Sequence, residues 1–223
     1  MRSTRRTLIW LSVYALAMAQ VEAAVVIYLR EIYHGGDPRA LFPLVPLAGG
    51  DLSIELIREL ATVLMIASVA LLQPQRGARA IGAFIYVFGL WDIAYYAWLK
   101  LLLGWPTRWL EWDVLFLIPW PWLAPWLTPV LVSLLFVVAG ARLLSAPARF
   151  TRLALSTVCV GAALVVAAFV MPALSSAADR NAGGFRTGDF PWGIFVAGYL
   201  LMAVGLAIAG GTTVREQASR TSR

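Results

Sequence analysis

Thiol and imidazole are almost missing from this chain: 223 residues hold one cysteine, Cys159, and one histidine, His34. A lone thiol excludes an internal disulfide and a thiolate metal cluster, and a lone imidazole excludes the paired axial ligation of a membrane haem. Neither a metal nor an organic cofactor is expected. Charge is scarce too, at 13% of residues, against about 25% in an ordinary soluble domain, and that excludes a water-soluble globule. Glycine patterns that cradle phosphates are absent, since Gly35-Gly36 and Gly210-Gly211 belong to no Walker or dinucleotide motif. Ser175, Ser176, Asp179 and Asp189 lack a nucleophile elbow, and His34 sits in a different loop, so a hydrolytic triad is not expected.

What the chain does have is apolar length. Hydrophobic residues make up 61% of it, with a mean hydropathy of +0.77. The apolar runs between breakers cover about 7–29, 52–72, 80–103, 122–144, 153–172 and 191–212, each near or above the roughly 18 residues that span a bilayer. Strict alternation is lacking, so a β-barrel is excluded and helices are implied. The expected architecture is all-α: residues 1–223 as a single polytopic membrane domain, a six-transmembrane-helix bundle. Arg2, Arg5 and Arg6 before an apolar run resemble a secretory signal, but the run continues to Leu29, which is bilayer length, so a retained first span is expected.

Direction follows from the arginines. With the N-terminus cytoplasmic, Arg2, Arg5, Arg6, Arg76, Arg79, Arg142, Arg149, Arg152, Arg215, Arg220 and Arg223 all fall inside, as the positive-inside rule requires. Both termini are then cytoplasmic, in a bacterial-type inner or plasma membrane. The net charge of +6 thus reads as topology, with the lipid bilayer as partner and no nucleic acid. Between Pro119 and Pro129 four prolines and three tryptophans crowd together. Proline blocks regular helix and tryptophan favours the headgroup zone, so an outer interfacial segment is expected, with a re-entrant segment as its alternative.

Mechanistic content lies in the ionisable residues within the spans, each costing about 2.5–3.5 kcal/mol at a helix centre unless paired or hydrated. Span one carries Glu22; span two carries Glu55, Arg58 and Glu59 on one face; span three carries Asp92, Tyr96 and Lys100 at four-residue steps; Glu111 and Asp113 follow at the outer rim. Acids outnumber bases in this outer cluster. The expected site is an acidic pocket open to the outer face among spans one to three, with Glu22, Glu59, Asp92 and Tyr96 binding an ion or proton and Arg58 and Lys100 compensating charge. The competing structural role is a polar network that only holds helices together. Small residues at Ala163/Ala167 and Ala203/Ala207/Gly211 are candidate sites of close helix approach.

A small cation- or proton-coupled transporter or channel is the leading functional expectation. A cofactor-free accessory or assembly subunit of a larger membrane complex is the second, with other membrane subunits as partners. A membrane enzyme acting on a lipid, with Glu59 and Asp92 as acid and base, comes last, for want of a nucleophile or metal motif.

Overall fold

The computed structural model describes residues 2–33, 49–73, 77–146, 150–178 and 188–221. His34, Gly35, Gly36 and Asp179 lie outside the described residues. Six helices and one hairpin follow in order: α1 (Arg2–Tyr33), α2 (Gly50–Leu71), α3 (Ala78–Leu103), β1 (Trp112–Phe116), β2 (Trp122–Pro125), α4 (Leu127–Ser145), α5 (Arg152–Ala178) and α6 (Trp192–Thr221). Within α1, α3, α4, α5 and α6 there are stretches long and apolar enough to cross a membrane, which marks an integral membrane protein. The remaining helix, α2, carries Glu55, Arg58 and Glu59 in every 18-residue stretch.

Two expectations about boundaries are corrected. The fourth helix starts at Leu127 rather than 122, because residues 122–125 pair antiparallel with 112–116. Pro119 and Pro121 fill the turn, where no ladder donor is needed, and Pro125 closes β2 opposite Trp112. The fifth helix continues past 172, through an internal Pro172, to Ala178. Gly104 ends α3 in a left-handed conformation, φ 74°, with its N–H on the Lys100 carbonyl, a common helix stop that only glycine adopts cheaply.

The long apolar helix α3 is the hub, packing against α1, α2 and α4, while α5 pairs with α6 and carries β2 against its side. Both tight pairings are made by glycine. A Cβ on Gly140 would meet the Gly82 carbonyl at 2.6 Å, and one on Gly161 would meet the Gly198 carbonyl at 2.6 Å, so α3/α4 and α5/α6 touch backbone to backbone. Ala163, Ala167 and Ala207, by contrast, face outward; small size at four-residue spacing did not mark the true contact line.

Aromatic contacts fix the depth of the hairpin. Trp126, just beyond β2, lies with its ring 5.6 Å from that of Tyr96, whereas Phe116 at the other end of β1 lies 6.3 Å from Phe88. Along α3 those two partners are separated by two turns and more, roughly 12 Å at 1.5 Å per residue. The hairpin therefore runs down into the bundle alongside α3 and back, with Trp122 reaching Phe169 of α5 on its far side.

Candidate functional site

A cavity of about 700 Å³ is lined by the hairpin together with residues of α1, α2, α3, α4 and α5 and Met202 of α6. Pockets of this size that are mostly apolar, with a few converging polar groups, are the usual form of a ligand site. Every acid expected within a span lines it, as does Asp113.

At the end of α1, Arg30 donates from Nη2 to Asp113 Oδ1 at 3.1 Å, with the two side chains only 4% and 2% exposed. The Tyr96 hydroxyl donates to Asp113 Oδ2 at 3.0 Å, and the Arg30 guanidinium lies 4.2 Å above the Trp105 ring. Asp113, placed at an outer rim by its position in the chain, is thus fully buried.

On α2 the i, i+3 spacing brings Arg58 Nε to Glu55 Oε2 at 2.9 Å, and the same guanidinium pairs with Glu22 of α1. Thr62 Oγ1 donates to Glu22 Oε2 at 3.4 Å. One turn deeper, Glu59 turns away from this trio and accepts the backbone N–H groups of Leu117 and Ile118 at the tip of the hairpin. Asp92 receives a 2.8 Å hydrogen bond from Ser133 Oγ of α4, and no base pairs with it among the described residues. Glu22, Glu59 and Asp92 therefore share one cavity but do not bond one another.

Lys100 does not compensate these acids. Its Nζ donates to the carbonyls of Gly104 at 3.2 Å and Pro106 at 2.7 Å, because the left-handed turn at Gly104 folds the chain back over the last turn of α3. Glu111 stays in the loop, where it accepts from Thr107 N, Thr107 Oγ1 and Arg108 N. Partial burial pushes its carboxyl up, but these donors outweigh it and hold the group below its ordinary value.

No known protein family, curated protein or solved structure matches the chain. The site must therefore be read from its own residues. Arg30, Trp105, Thr62 and Ser133 were missed from sequence. Arg30 had a signal, since Glu22, Val26 and Arg30 stand at four-residue steps on one face of α1; ending the span at 29 concealed it. Among the described residues no three of His, Cys, Asp and Glu are arranged to hold a metal ion.

Proposed function

We propose that the chain is a small cation- or proton-coupled transporter or channel, in which Glu22, Glu59, Asp92 and Tyr96 form the polar lining of an acidic pocket open to the outer face. On this reading all six helices cross the membrane, both termini are cytoplasmic, and the proline- and tryptophan-rich hairpin is a re-entrant element entering from the outside. Irregular backbone at such a depth is tolerated where it is buried in protein or lines a wet cavity.

The observation that carries the reading is Asp92. Among the described residues its hydrogen-bond partner is the neutral Ser133 hydroxyl, and it lines a cavity of about 700 Å³. A carboxyl in such surroundings must take up a proton or a cation to lose its charge. A purely structural acid would be expected to face a base or several backbone donors, as Asp113 faces Arg30 and Glu59 the amides of Leu117 and Ile118.

The test is proton flux into liposomes holding the full-length protein and an internal pH-sensitive dye. Wild type is expected to dissipate an imposed gradient. Asp92→Asn, which keeps the hydrogen bonds of a neutral acid, should slow that flux about tenfold or more while folding normally. Unchanged flux in a folded Asp92→Asn protein discards the reading.

A further inference from the structure

Five acids line the cavity, and four of them are answered inside the protein. Glu22 and Glu55 share Arg58, Asp113 faces Arg30 and Tyr96, and Glu59 takes the amides of Leu117 and Ile118. Asp92 is left. Its Oδ2 accepts from Ser133 Oγ at 2.8 Å, and among the described residues nothing donates to Oδ1. The residue is only partly buried, and Oδ1 is not sealed off as the unpaired indole Nε1 atoms of Trp91 and Trp122 are. One carboxylate oxygen thus faces the cavity with its lone pairs free.

Aromatic rings stand one turn away. Phe88 precedes Asp92 by four residues on α3 and Phe136 follows Ser133 by three on α4, so the contact between those two rings, 6.1 Å between centroids, lies next to the Asp92–Ser133 hydrogen bond. From Phe88 the rings continue to Phe116 at 6.3 Å, from there to Trp122 at 5.8 Å and on to Phe169 at 6.1 Å, and all five line the cavity. A bare metal ion would want several oxygen ligands, and among the described residues no three of His, Cys, Asp and Glu converge to hold one. An anion would meet a carboxylate. A neutral apolar molecule would fill the volume of about 700 Å³, which suits a drug-sized ligand, and leave Oδ1 unanswered. An organic ammonium ion answers both demands. Its N–H groups reach Oδ1, its charge is favoured beside aromatic rings, and its apolar body covers the wall.

We infer that the cavity takes a hydrophobic organic ammonium ion, a protonated amine with a bulky aryl or alkyl body, whose N–H groups donate to Asp92 Oδ1 beside Phe88 and Phe136. The inference deepens the proposed function and rests on it in taking Asp92 as the group that gathers positive charge.

The test is calorimetric titration of the purified full-length protein in maltoside detergent with diphenylpropylamine at neutral pH, protein-free micelles serving as the blank. The amine should bind saturably. Diphenylpropanol, which puts a hydroxyl in place of the ammonium, and diphenylpropionate, which puts an anion there, should bind at least about tenfold more weakly. Methylammonium and sodium, which lack the apolar body, should not bind measurably. Asp92→Asn should weaken the amine about tenfold and leave the alcohol unchanged. Phe136→Leu, which keeps an apolar wall without a ring, should weaken the amine about threefold and the alcohol less. Absence of saturable amine binding, an alcohol or carboxylate that binds as tightly, methylammonium or sodium as tight as the amine, or an amine affinity unchanged in folded Asp92→Asn or Phe136→Leu protein each overturns the inference. Amine binding without proton flux would discard the proposed function and keep the ligand; flux without amine binding would do the reverse.

Discussion

The carboxylate of Glu59 accepts the backbone N–H of Leu117, 58 positions away in the chain, at 2.8 and 3.0 Å to its two oxygens, and that of Ile118 at 3.2 Å. Both amides lie where the ladder ends, since Phe116 and Trp122 are its last pair and Pro119 and Pro121 bring no donor of their own. An acid on α2 thus supplies what the sheet cannot. Together with the Arg58–Glu22 pair, this contact ties α2 to the rest of the bundle.

Glu59→Ala is therefore expected to leave two amides without a protein partner, at about 1–3 kcal/mol each. Glu59→Gln keeps one acceptor oxygen and should cost less. Thermal unfolding in detergent measures the difference, and the rate of thiol labelling in a Leu117→Cys background would show loosening of the tip. Equal, negligible losses in both variants would remove Glu59 from this role.

The Arg30–Asp113 pair is buried on both sides, so Asp113→Ala, which strands the guanidinium, should cost about 3–5 kcal/mol. The double change Arg30→Met with Asp113→Leu removes both charges and should cost less than the single change. Denaturant unfolding of the three proteins settles it; a double variant weaker than Asp113→Ala would mean the pair itself stabilises strongly.

At the α5/α6 contact, a Cβ on Gly161 lands 2.6 Å from both Gly198 O and Met202 N, and backbone cannot move aside as a flexible side chain would. Gly161→Ala should destabilise by about 1–3 kcal/mol. Gly193→Ala, with nothing within 4 Å, should be nearly neutral. Melting temperatures of the pair compare them directly.

Acidification should release the loop that Glu111 holds. Its carboxyl titrates below the ordinary 4.5 in the folded protein, so its contribution is full above the unfolded value and is lost as the pH falls through the lower, folded one. Glu111→Gln should abolish that acid-dependent step. Amide hydrogen exchange at Thr107 and Arg108, followed down the pH scale in wild type and variant, reads it.

Reporter fusions at Arg76 and Arg149 should read cytoplasm, and those at Gly35 and Gly183 the outside, if α2 crosses the membrane with its neighbours. An outside signal at Arg149 would refute the six-span topology.

Much of the helical frame was legible because bilayer-length apolar runs and the glycines and prolines between them act locally. The helices α1, α3 and α6 each enclose the apolar run read for that region, or nearly so, and Glu55, Arg58 and Glu59 share the predicted face of α2. Periodicity states which residues stand together on one helix. It says nothing of what they meet across a gap, and so Arg30 with Asp113, 83 positions apart, and Asp92 with Ser133, 41 apart, were invisible. The hairpin was hidden for a related reason. Pro119 and Pro121 speak against helix there, yet the apolar run was read as helical from 122, because pairing of 112–116 with 122–125 depends on packing against Phe88 and Phe169 and on an acid from α2, all distant in sequence. Composition and local pattern determined a helical membrane protein with several acids on its helices. Only tertiary structure decided their partners, because a carboxylate's hydrogen bonds and counter-charges are made by whichever group the folded chain brings within about 3 Å.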